Sequence, residues 1–260
     1  MSRLAVTERD RRLIKLVSRF RLLARDQVII LAPFGSLTRA NTRLAGCVRA
    51  KLLSRKLMPI YVGNGSAQAL YFLGIGSGAV LDGETGSVNQ QVRQVSRWDL
   101  GEVEHVIAAN QVLVDFTAAL QHESGAILLS FRTEPELRQV FVNRSFVPDG
   151  WVAWTSGGRR FNCFIEVDLH HEGLTVWRKK ILEYLEYAES DLHKELFGSR
   201  YFRVLVLAKG STRLEHLRQI SVPARQLFLF GQIGKISHAN LFSRVWQRAL
   251  GEQLVSLTQA

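Results

Sequence analysis

Cysteine is nearly absent from this chain of 260 residues: Cys47 and Cys163 are the only two, and they stand far apart. That excludes a disulfide scaffold and a cysteine-cluster zinc site, and each cysteine reads as a packed side chain. No apolar run approaches the ~18 residues that a membrane helix needs. The N-terminal stretch carries Arg3, Glu8, Arg9 and Asp10 and has no signal-peptide core. Internal repeats and low-complexity tracts are also missing. With 47% hydrophobic and 22% charged residues, wholesale disorder is excluded. The expectation is a soluble, cytoplasmic protein with no membrane partner, large enough for one big domain or two ordinary ones.

Acidic residues are scarce in one place only. Residues 1–62 hold 14 basic side chains and three acids, Glu8, Asp10 and Asp26. The other 198 residues hold 20 of each sign, so the whole net charge of +11 sits in the first quarter of the chain. A basic module joined to a neutral one points to a head that binds a polyanion.

The basic quarter has a readable order. Thr7 and Asp10 are spaced as a helix cap, and Leu13, Ile14, Val17 and Phe20 form an apolar stripe, which predicts a helix over 7–20. A shorter helix follows over 24–31 and is broken by Pro33, Gly35 and Ser36. A third is predicted over 38–54, with Leu44, Val48, Leu52 and Leu53 inward and Arg39, Asn41, Thr42, Arg43 and Arg49 outward. Two β-prone runs, 57–62 and 69–73, flank Gly63-Asn64-Gly65-Ser66, a hairpin signal. Three helices and a hairpin are the order of a winged helix-turn-helix. Such a third helix can lie in the major groove of double-stranded DNA, so Arg39, Asn41 and Arg43 are candidates to reach base edges, with Arg49 and Lys51 beside them. The alternative is a packing module with solvated basic faces. Gly74-Ile75-Gly76-Ser77-Gly78 lacks the lysine of a phosphate loop and opens no βαβ unit, so it reads as the turn out of the wing.

Residues 82–97, polar and with three glutamines, read as a linker or an irregular helix between domains 1–81 and 98–260. A long helix is predicted over 99–121. Strand-like runs follow at 127–131, 139–142, 151–154 and 161–167, then a helix over 174–188, a strand at 202–208, a helix at 212–220 and a strand at 227–230. This is an α/β (α+β) domain with a mixed sheet.

Three pieces of it could carry chemistry. Pro148-Asp149-Gly150 leads into one strand. Glu166 and Asp168 end the next on the same face, since alternate strand residues point the same way. Lys179 and Lys180 lie on the following helix, with Tyr184 one turn past Lys180. Paired strands could bring Asp149 to Glu166 and make a carboxylate site for Mg²⁺ or Mn²⁺, with Lys180 orienting a water or balancing charge. The same residues also read as an ordinary turn, a solvated strand end and a lysine snorkelling on an amphipathic helix. His170-His171-Glu172 reads as a loop rather than a set of ligands.

A proline-aspartate turn, a strand ending in spaced acids and a Lys-x-x-x-Tyr helix resemble the PD-(D/E)xK nuclease superfamily. With the N-terminal winged helix, the chain from about 7 to 246 resembles the replication-relaxation family of plasmid and mobile-element proteins. Pro148-Asp149, Phe164 to Asp168, and Lys180 with Tyr184 carry most of the likeness, and His105 to Asn110 and Arg132-Thr133-Glu134 look like its middle region. The resemblance implies a DNA-binding protein of plasmid or mobile-element replication, copy control or mobilisation, with a restriction-endonuclease-like second domain. It also implies replication or mobilisation proteins as partners. By position, Asp149, Glu166 and Asp168 would be the metal-binding and catalytic acids, and Glu134 an accessory acid. Asp168 stands where that superfamily has lysine, so Lys180 would be its migrated substitute. Three functions follow: a DNA binder whose nuclease fold is kept for binding or assembly, an active metal-dependent endonuclease or nickase, and a homodimeric transcriptional regulator.

Overall fold

Thr7 begins the first helix as its sequence predicts. In the computed structural model, which describes residues 5–32, 34–58, 67–81, 83, 85–142, 144–169 and 173–258, the Thr7 hydroxyl accepts from the Asp10 amide while Asp10 takes the Thr7 amide in return. This closes two of the amide groups that a helix start leaves open. The chain divides into two compact units, Met1–Asn110 and Gln111–Ala260, and no helix among the described residues is long and apolar enough to cross a membrane.

In the first unit α1 (Glu8–Phe20), β1 (Leu23–Ala24), α2 (Arg25–Leu31) and α3 (Leu37–Arg49) precede β2 (Leu53–Leu57) and β3 (Ala69–Leu73). The strands form a three-stranded antiparallel sheet in the order β1-β3-β2. The helix predicted to run to residue 54 stops at Arg49. Lys51 takes a left-handed φ of 58°, which ends a helix, and β2 starts two residues later. The strand expected at 57–62 is therefore centred earlier, and the predicted Asn-Gly turn lies outside the described residues.

Residues 75–79 form a short 3₁₀ turn. Residues 85–97, expected as linker, are the regular helix α4 (Thr85–Arg97). Val88 and Val95 are buried there, and Val95 joins a cluster with Leu22, Ala24, Leu70, Phe72 and Val103. Three valines at helical spacing, 88, 92 and 95, suffice to bury one stripe of an otherwise polar helix. α5 (Leu100–His122) begins in the first unit and continues into the second.

The second unit is a seven-stranded mixed sheet in the order β10-β9-β8-β7-β6-β5-β4. β5 (Gly150–Ser156) pairs antiparallel with both β4 (Ala126–Thr133) and β6 (Arg159–Asp168). β6, β7 (Arg203–Ala208) and β8 (Phe228–Gln232) are parallel. The parallel steps need crossover helices, supplied by α7 (Leu174–Glu189) with α8 (Leu192–Phe197), and by α9 (Ser211–Ile220). Short β9 (Trp246–Arg248) and β10 (Leu254–Val255) add antiparallel pairs at one edge.

Residues 139–142, predicted as a strand, instead end the helix α6 (Glu134–Val140). Thr133 and Glu136 form its capping box, with Pro135 in the first turn, so the start signal outweighs the β-prone Val140-Phe141-Val142. One sheet face is covered by Trp177, Ile181, Tyr184 and Tyr187 of α7 and Leu214 and Leu217 of α9, packed on Phe164, Val204 and Val206. On the other, Phe116 of α5 meets Trp154 with ring centroids 5.3 Å apart.

Candidate functional site

The end of β6 gathers the acids of the second unit. β6 is buried along Asn162–Asp168 because helices cover both faces, yet its last turn of alternation places Glu166 and Asp168 under α7 and α9. This is the carboxyl end of a parallel strand, where open α/β sheets form ligand crevices. The β5–β6 register pairs Gly150 with Ile165, so Asp149 lies one step further, opposite Glu166. Its amide donates to the Ile165 carbonyl at 3.0 Å, and its carboxylate accepts from the Val167 amide at 2.7 Å.

Glu166 is 2% exposed. Its Oε2 accepts from Lys180 Nζ at 2.8 Å and its Oε1 from the Tyr184 hydroxyl at 2.6 Å. Lys180 and Tyr184 are one turn apart on α7, so both reach one carboxylate from the same helix face. Burial pushes the Glu166 carboxyl up to about 7. Lys180 opposes the shift and the charge of Asp149 adds to it. The Tyr184 hydroxyl is raised well above the usual phenol range by burial and by Glu166. Asp149, Glu166 and Lys180 therefore share one electrostatic site. Lys180 is inward: its side chain is 16% exposed.

Asp168, on the same face of β6 as Glu166, meets a cation from α9. Arg213, in the first turn of α9, donates Nε to one of its oxygens at 3.0 Å and Nη2 to the other at 2.6 Å. Both side chains are at most one-tenth exposed. A bidentate, largely buried guanidinium thus meets that carboxylate. Sequence reasoning missed Arg213, since nothing in a helix starting 43 residues downstream signals which acid it meets. Glu134 opens α6 and pairs with Arg138 one turn on. His170-His171-Glu172 lies outside the described residues.

Asp149 and Glu166 are hard oxygen donors of the kind a divalent cation takes. Among the described residues no group of three or more His, Cys, Asp or Glu side chains is placed to hold a metal ion. The donor set thus suits only a cation that keeps most of its waters, as Mg²⁺ does.

In the first unit α3 presents Arg39, Asn41, Thr42 and Arg49 to solvent, with exposed Lys51 just beyond its end. Arg43 does not join that face. Its Nε donates to Asp10 Oδ1 at 2.7 Å, its Nη2 pairs with Asp10 Oδ2, and Nη2 also reaches the Ala5 carbonyl at 2.8 Å. Asp10 is wholly buried. Burial alone would raise its pKa, but the hydrogen bonds from Arg43 and Thr7 prevail and hold it at about 2. Asp10 thus caps α1 and anchors α3 with one carboxylate. Its capping spacing was legible; its partner, 33 residues away, was not.

Comparison with curated proteins and with solved structures finds no match. The family model described as replication-relaxation matches residues 14–199, from within α1 through the strand pair, the long helix and β4–β6 to α8. The chain therefore belongs to the replication-relaxation family.

Proposed function

We propose that this chain is a double-stranded-DNA-binding protein that acts in plasmid or mobile-element replication or mobilisation, its second unit a nuclease-like scaffold. The observation that carries the reading is the coincidence of charge and shape. All of the net charge lies in residues 1–62, and there three helices lead into an antiparallel strand pair, the plan of a winged helix. The exposed face of α3 offers arginine and asparagine, the side chains that pair with guanine and adenine in the major groove. Arg43 serves the scaffold through Asp10, which leaves Asn41, with Arg39 and Arg49 near it, as the groove-facing set. Family membership supports the link to replication.

A non-hydrolytic role for the second unit draws support from two of its acids having cations of their own, Glu166 with Lys180 and Asp168 with Arg213. A second reading, a Mg²⁺- or Mn²⁺-dependent endonuclease or nickase, draws support from the convergence of Asp149, Glu166 and Lys180 and from the raised Glu166 carboxyl. There Asp149 and Glu166 would hold the cation, which would supply Lewis acidity and an activated water. Lys180 would balance charge beside it.

Fluorescence-anisotropy titration of labelled duplexes at several salt concentrations tests the leading reading. Binding that weakens with a log–log slope of several, about 0.9 per phosphate neutralised, is the expected result, and Asn41→Ala should flatten the preference between unrelated sequences. Salt-insensitive or absent binding overturns it.

A further inference from the structure

Two arginines bracket the turn that enters α3. Phe34 and Gly35 are adjacent in sequence, and each has a guanidinium against it. The Cζ of Arg9, from the first turn of α1, lies 5.1 Å from the centroid of the Phe34 ring. The Arg39 guanidinium lies over Gly35: a Cβ at that position would sit 3.1 Å from Arg39 Nη1. Both arginines are exposed. Their neighbours have acids, since Arg12 pairs with Glu8 at 3.5 Å and Arg43 with Asp10. Among the described residues Arg9 and Arg39 have no ion-pair partner.

A guanidinium in cation–π contact with an aromatic ring keeps N–H groups available for an acceptor. It also loses less side-chain freedom on binding than a free arginine, which is the benefit of preorganisation. Two forks placed beside adjacent residues suit an anion that repeats along a line. A phosphodiester backbone has that form, whereas a base edge offers one arginine a single bidentate target. Gly35 leaves Arg39 this position, since a Cβ there would require the guanidinium to shift by a few tenths of an ångström.

We propose that Arg9 and Arg39 together grip the phosphate backbone of one strand of duplex DNA, with Phe34 as the positioning residue for Arg9. The proposal rests on the reading that the first unit binds duplex DNA, and it moves Arg39 from base reading to backbone contact.

The test uses the full chain and two labelled duplexes of unrelated sequence, titrated across a salt series, with circular dichroism of each variant to check folding. Arg9→Ala and Arg39→Ala should each lower the salt slope by about 0.9, and the double variant by about twice that. Affinity should fall equally on both duplexes. Phe34→Leu should keep the slope and weaken binding about two- to fivefold, and Phe34→Tyr should restore it. A loss of slope separates charge contact from a structural effect of the variants. Wild-type binding with unchanged slopes in both arginine variants overturns this inference and leaves the DNA-binding reading standing. A change in preference between duplexes for Arg39→Ala also overturns it, by making Arg39 a base reader. Absence of salt-dependent binding by the wild type overturns both.

Discussion

Asp10 and Glu166 are both buried carboxylates facing a cation, yet they titrate in opposite directions. Asp10 accepts from Arg43, from the Thr7 amide and from the Thr7 hydroxyl, and these outweigh its burial. Its folded pKa of about 2 lies below its unfolded value, so its stabilisation is complete above pH ~4 and is lost as pH falls towards 2. That linkage is worth about 2 kcal/mol. Arg43→Met would leave Asp10 buried without its partner and should cost about 3 kcal/mol, seen as a lower melting temperature at pH 7 that narrows in acid. A melting temperature unchanged at pH 7 would contradict this. Glu166 behaves inversely. Its folded pKa is raised to about 7, so its contribution is greatest below pH ~4.5 and declines as pH rises through 7. Tyr184→Phe and Lys180→Met each remove an interaction that favours the carboxylate, and each should move the Glu166 midpoint higher still, read by carboxyl ¹³C NMR. A wild-type midpoint near 4.5 would contradict this, by showing that Lys180 and Tyr184 offset the burial in full. Lys180 and Tyr184 were legible as a helix-spaced pair near the strand acids. The meeting of Asp168 with Arg213 was not, because strand alternation fixes the shared face but not which helix covers each position.

At the scale of elements, the turn after α3 shows how local backbone demands set a boundary that hydrophobic pattern alone missed. Leu52 and Leu53 extend the apolar stripe of α3 and suggest a longer helix, but Lys51 at φ 58° turns the chain into β2. Gly74 then passes so close that a Cβ there would run into the Lys51 carbonyl oxygen, while the Gly76 amide donates to that same oxygen at 2.9 Å. Gly74→Ala should therefore destabilise the protein by about 2–4 kcal/mol, measured by chemical denaturation. Lys51→Gly should do the reverse, raising stability by about 0.5–1 kcal/mol while weakening DNA binding and lowering its salt slope. A Lys51→Gly protein that is more stable and binds equally well would remove Lys51 from the interface. The strand expected at 139–142 failed for a related reason. Three β-prone residues cannot be told from the end of a helix by periodicity, and the Thr133–Glu136 box decides the matter upstream.

Across the whole molecule, the chain separates its charge from its fold. The longer strands and the helices α7 and α9 of the second unit follow apolar runs that the sequence displays, which made a mixed sheet legible although α6 and α8 were not. β9 and β10, three and two residues long, have no periodicity to display. The first unit carries the charge that the second lacks, and that asymmetry supports assigning DNA contact to one unit and a scaffold role to the other. The most direct test is incubation of supercoiled plasmid with the purified protein in Mg²⁺ and in Mn²⁺, beside an Asp149→Ala/Glu166→Ala variant, followed by agarose electrophoresis. The account predicts that both proteins retard the plasmid and that neither nicks it. Nicking by the wild type that the variant loses would contradict it and establish the second unit as a metal-dependent nuclease.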